Sequence, residues 1–143
     1  MALQELGNSW GWLIGEPFTP ILFSAIGDAF VEKDSGGLWW LNTGVGELTR
    51  IADSVSDFQH RLNTNASNEW FLPGLVEQLH AAGKLLNMGE CYTFVTLPVY
   101  SQGTYEVANM YAVPAHEHYG LSGKMIQQIK DLGDGSLVRV SVV

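Results

Sequence analysis

An α+β domain, with an antiparallel sheet and about three helices packed on one face, is the fold class this chain of 143 residues predicts. Three patterns carry the prediction. Short apolar and aromatic runs punctuated by glycine turns fill the stretch from Ile21 to Ala52 and read as an antiparallel meander. Apolar residues at helical spacing follow after Asp53-Ser54 and again from Leu72. Two further strand-like runs and a third helical stretch then lead to a β-branched run at the C-terminus. The order β-β-β-α-α-β-β-α-β places helices and sheet in separate layers.

Taken in order, Trp10 and Trp12 open an apolar segment that ends near Pro17 and Pro20; if extended, both rings lie on one side. Ile21 to Val31 reads as one strand, or two short ones bent at Gly27. Asp34-Ser35-Gly36-Gly37 is a turn, because glycine accepts positive φ without steric cost. Leu38–Asn42 returns as a strand, and Thr43-Gly44-Val45-Gly46 turns into another, Glu47–Ala52.

Asp53 or Ser54 caps a helix with Val55, Phe58 and Leu62 on one face, and Ser54-x-x-Asp57 approximates a capping box. Leu72, Leu75, Val76 and Leu79 form a second helical stripe that Gly83 closes. Pro73 fits the first turn of that helix, and a start at Asn68 requires a kink. Cys91–Val99 and Tyr105–Val113 pair across Ser101-Gln102-Gly103. Gly120–Leu132 is the third helix, with Leu121, Met125, Ile126 and Ile129 inward, and Leu137–Val142 is a last strand. No repeat, low-complexity tract or linker interrupts residues 1–143, which read as a single domain.

The net charge of −8 is uneven: residues 1–60 hold eight acids and two bases, residues 61–143 seven and five. Such a surface repels nucleic acid and attracts a basic partner. No apolar run reaches the length of a membrane span, and the N-terminus lacks a basic n-region, so a cytoplasmic protein is expected. The lone cysteine, Cys91, sits in an alternating strand segment and reads as a buried structural thiol.

No catalytic constellation emerges. His116-Glu117-His118 is the best metal candidate, since residues two apart on a strand share a face, but no further ligands can be named. Asp131-x-x-Asp134-Gly135 lacks the alternating ligands of a calcium loop. Gly44-x-Gly46 lacks the third glycine of a dinucleotide fingerprint, and the serines lack a nucleophile elbow. No metal or other cofactor is therefore expected.

Trp39 and Trp40 are adjacent on a strand and so face opposite ways; one can fill the core while the other meets a helix, a loop, solvent or a partner. Glu32, Asp34, Glu47, Asp53 and Asp57 border the same meander. An aromatic anchor at Trp40 with these carboxylates around it is the expected partner-binding surface.

Several segments together resemble the DUF1851 family, also described as the C-terminal domain of Tdi1-type immunity proteins of bacterial type VI secretion. They are Ile26-Gly27-Asp28-Ala29-Phe30, Asp34-x-Gly-Gly-Leu-Trp-Trp-Leu-x-Thr-Gly, Leu48-x-x-Ile51-Ala52-Asp53-Ser54, Gly89-x-Cys91-Tyr92-x-Phe94 and Gln127 to Leu132. The resemblance spans roughly Trp10 to Val143 and implies an immunity protein, not an enzyme. The implied partner is a cognate toxin, with a nuclease among the family's partners, neutralised by occlusion of its active site. Two other readings stay open from the residues alone. One is a small metal- or ligand-binding enzyme using His116 and His118; the other is a scaffold domain for a host protein. Oligomeric state is not encoded in any pattern found.

Overall fold

The computed structural model describes residues 2–130 and 132. The expected final strand, Leu137–Val142, and the Asp131/Asp134 turn lie outside the described residues. The meander is a four-stranded antiparallel sheet in sequential order: β1 (Phe18–Phe23), β2 (Ala29–Lys33), β3 (Leu38–Asn42) and β4 (Glu47–Ala52). Of the two readings of Ile21 to Val31, the bent one holds. Gly27 has φ +87°, and the chain reverses there between β1 and β2.

Register divides the sheet into two faces. Phe30 pairs with Trp40, while Ala29 pairs with Leu41 and Val31 with Trp39. Phe30 and Leu38 join a cluster with Phe58 and Trp70; Ala29, Val31 and Leu41 join a larger one with Leu6, Trp10, Tyr92 and Ile126. Alternation therefore puts apolar side chains on both faces, and Trp39 and Trp40 pack, half-buried, against opposite clusters.

Five α-helices accompany the sheet among the described residues: α1 (Ala2–Ile14), α2 (Val55–Arg61), α3 (Ala66–Phe71), α4 (Pro73–Ala81) and α5 (Ala115–Ile129). The antiparallel α+β class holds, and the placement of helices is refined. The apolar entry segment around Trp10 and Trp12 is not extended but part of helix α1, where Leu6, Trp10 and Ile14 follow one another at i, i+4 and i+8 and are buried. Gly7, Asn8, Ser9 and Gly11 weaken its intrinsic propensity, and packing on α5 overrides them.

The packing is close because α5 presents glycines: a Cβ on Gly123 would stand 2.5 Å from the Ser9 carbonyl oxygen. Helix α5 begins five residues before the expected Gly120. Its buried face is His118, Tyr119, Ser122 and Ile126 with both glycines, whereas Leu121, expected inward, is 45 % exposed.

Ser54 caps α2 as expected, its Oγ accepting the Asp57 N–H at 3.1 Å. Asp57 reaches back in turn, accepting the Asp53 N–H at 3.1 Å. Pro73 opens α4, and the required break falls at Leu72, which adopts φ 45° and ψ 59° between α3 and α4. Strands β5 (Glu90–Phe94) and β6 (Met110–Pro114) form a second, two-stranded sheet, shorter than expected. Asn109 holds the intervening loop by donating to the Thr96 and Thr104 carbonyls, each at 2.8 Å. The β5 edge is tied to the turn between β1 and β2 by the Tyr92 N–H, which donates to the Ala25 carbonyl at 2.7 Å.

Candidate partner-binding site

Asp28, directly after the Gly27 turn, is 3 % exposed and anchors a buried polar network. Its Oδ1 accepts the Thr43 N–H at 3.0 Å, and its Oδ2 accepts the Trp40 indole N–H at 3.0 Å. The Thr43 hydroxyl lies 2.9 Å from the Gly27 carbonyl and 2.8 Å from His118 Nε2. His118 Nε2 is also 3.1 Å from the Gly27 carbonyl, while Nδ1 is 2.7 Å from the Thr93 hydroxyl. A carbonyl can only accept, so Nε2 carries the proton and Nδ1 accepts from Thr93. The Tyr119 hydroxyl donates to the Asp28 carbonyl at 3.2 Å. Side chains from β3–β4, β5 and α5 are thus locked onto the β1–β2 turn.

Burial without a cation decides the charges. Desolvation raises the Asp28 carboxyl to about 7 against the lowering pull of Trp40 and Thr43. Desolvation lowers His118 to about 4, so the imidazole is neutral at pH 7.

Beside this network lies an open pocket of about 310 Å³. Ile26, Asp28, Trp40 and Asn42 line it from the meander, and Glu69, Leu72 and Tyr105 from later in the chain. Tyr105 donates to Asn42 Oδ1 at 3.3 Å, fixing that wall. Lysine and arginine are missing from the lining.

The structure separates the expected partner-binding residues. Glu47 pairs with Asn42 at one end of the β3–β4 ladder, and Ala52, next to Asp53, pairs with Leu38 at the other. Glu32 is half-buried and pairs with Leu38, and Asp34 is exposed in the adjoining turn. Asp53 forms a 3.5 Å ion pair with Arg50. Asp57 accepts from Arg61 at 3.2 Å, and its carboxyl is lowered first by the Asp53 N–H. The five acids therefore occupy two ends of the sheet, with Trp40 half-buried between them. Asp28, Asn42, Glu69 and Tyr105 escape sequence reasoning because no spacing links them; only the Gly27-Asp28 and Thr43-Gly44 pairs within the quoted segments hint at them.

The alternative reading of His116 and His118 as a metal pair does not survive the helix. Two residues apart on α5, their side chains diverge by about 200°, and His118 is buried among its hydrogen-bond partners. Among the described residues no group of three or more His, Cys, Asp or Glu could hold a metal ion. Cys91 is buried as expected; desolvation foremost, then the charges of Asp28 and Glu90, pushes its thiol up to about 12. It is a structural thiol, too weakly ionised to be a nucleophile. Among the described residues no helix is long and apolar enough to cross a membrane.

The domain thus combines a buried polar network around Asp28 with an open pocket lined by two acids, Asp28 and Glu69. The family model for the type VI secretion (T6SS) immunity protein Tdi1, C-terminal, matches residues 52–126, more than half of the chain, and the chain belongs to this family. Membership makes it an immunity protein rather than an enzyme and implies a cognate toxin as partner. No curated protein and no solved structure matches the chain. The matched stretch supplies Glu69, Leu72 and Tyr105 to the pocket, whereas Asp28, Trp40 and Asn42 precede it.

Proposed function

We propose that this chain neutralises a cognate type VI toxin in the bacterial cytoplasm by binding over its active site, and that the toxin is a nuclease. Family membership carries the reading, and the charge supports its finer part. An enzyme that cleaves nucleic acid needs a basic substrate cleft, and a chain of net charge −8 complements one. Trp40, Glu47 and the pocket beside them form the contact face. Glu32, Asp34, Asp53 and Asp57, at the other end of the sheet, steer the approach. Association is fast and salt-sensitive, and dissociation is slow. Residues 1–143 act as a single domain in this role.

Co-expression tests the proposal. Candidate type VI toxins are expressed alone and with this chain, and growth, nucleic acid integrity and complex formation by size exclusion are followed. Relief of toxicity together with a stable complex supports it. A toxin whose nuclease activity persists inside the purified complex contradicts active-site occlusion.

A further inference from the structure

We propose that the pocket between Asp28 and Glu69 receives an arginine side chain of the toxin, its guanidinium held by the two carboxylates against the rings of Trp40 and Tyr105. The inference rests on the toxin-binding reading and names the contact at its centre.

Four observations converge on a planar cation. Both ionisable side chains in the lining besides Tyr105 are carboxylates, and no basic side chain there answers them. Asp28 is buried, yet its partners are all neutral donors: the Trp40 indole, the Thr43 N–H and the Thr43 hydroxyl. Its Oδ2 accepts one bond, from Trp40, leaving an acceptor position for a ligand. Trp40 and Tyr105 add ring surfaces, and Ile26 and Leu72 add apolar contact for an aliphatic stem.

Other occupants fit less well. An anion meets two carboxylates. A metal ion finds two acids in the lining, and among the described residues no group of three or more His, Cys, Asp or Glu gathers to hold one. Lysine supplies charge but not the planar fork that spans two carboxylates and stacks on a ring. At about 310 Å³ the pocket is at the small end of ligand sites and suits a single side chain.

The seating of the pocket explains why it persists. Thr43 bonds Asp28 directly, His118 holds Thr43 and the Gly27 carbonyl, and the left-handed Leu72 ends the helix that carries Glu69 and Trp70. The pocket is therefore preorganised, which lowers the entropic cost of binding.

The probe is Nα-acetyl-arginine amide, added to the ¹⁵N-labelled full chain at up to roughly tens of millimolar, the range in which a lone side chain binds. The neutral citrulline analogue is the control. The signal is the Trp40 indole N–H, identified by its disappearance in Trp40→Phe. The expected result is a saturable shift with the arginine compound, little with citrulline, and binding weakened at least about threefold in Glu69→Gln. Glu69 is exposed, so this variant keeps the fold even if Asp28→Asn does not. An unmoved indole signal, or equal shifts with citrulline, overturns the proposal.

The second arm measures toxin affinity. Glu69→Gln and Trp40→Phe are expected to weaken it roughly tenfold or more. Arginine binding with toxin affinity unchanged in both variants overturns the assignment of the pocket to the toxin. A chain that binds the arginine compound but no toxin defeats the immunity reading and not the guanidinium site. A chain that binds toxin tightly while the indole signal stays still defeats only the site.

Discussion

The indole N–H of Trp40 donates to Asp28 Oδ2 at 3.0 Å, joining the expected surface anchor to the most deeply buried acid of the sheet. Trp40 is therefore a hinge between core and pocket rather than a free-standing aromatic. Changes on either side of this bond are felt on the other.

Asp28 and His118 predict a distinctive pH dependence. Asp28 rises from 3.8 to about 7 on folding, so the native state holds a proton that the unfolded state releases, and stability falls as pH rises from about 4 to 7. His118 drops from 6.5 to about 4, so the unfolded state binds the extra proton, and stability falls as pH is lowered from 6.5 to about 4. The two slopes oppose each other over the same window. Denaturant unfolding of the native chain should show a nearly flat stability there. Asp28→Asn should leave stability rising with pH, and His118→Gln should leave it falling. Parallel profiles for all three proteins would contradict the buried pair.

Gly27→Ala should be among the most damaging single substitutions. The residue has φ +87°, and a Cβ there would stand 2.5 Å from His118 Nε2. Left-handed strain and overpacking together should cost roughly 2–5 kcal/mol, read as a lowered unfolding midpoint. A loss of a few tenths would mean that the turn relaxes freely.

Two positions five residues apart on α5, Leu121 and Ile126, separate its faces. Ile126 is 3 % exposed and packs in the larger cluster, so Ile126→Ala should cost about 2–5 kcal/mol. Leu121→Ala, on the exposed face, should stay within about 0.5 kcal/mol. Equal losses would contradict the observed rotation of the helix.

Charge reversal at Asp34, Glu47 or Asp53 should slow association with the toxin and flatten its salt dependence without changing the fold. Asp57 is a poorer probe, because its carboxylate accepts the Asp53 N–H at 3.1 Å and removing it loosens the start of α2. Stopped-flow association rates decide the matter, and unchanged rates in all three variants would move the interface elsewhere.

Local chemistry made much of the fold legible. Glycine turns marked the meander, Ser54 marked a cap, and Pro73 marked a helix start, each through a conformational preference that acts within a few residues. Helix α1 was not legible, since Gly7 and Gly11 hide its stripe until α5 is placed against it. The inward face of α5 was misread at Leu121 because its tightest contacts are made by Gly120 and Gly123, which register in no hydrophobic pattern. The pocket was least legible. Trp40 could be singled out, but Asp28, Glu69 and Tyr105 come together only through tertiary packing.

Relief of toxicity is the most direct test of the central claim. The cognate toxin is expressed in a susceptible host with the native chain, with Trp40→Phe/Glu69→Gln, or alone, and surviving cells are counted. Full protection by the native chain and reduced protection by the folded double variant is the predicted result. Undiminished killing in the presence of abundant, folded native chain would contradict the account.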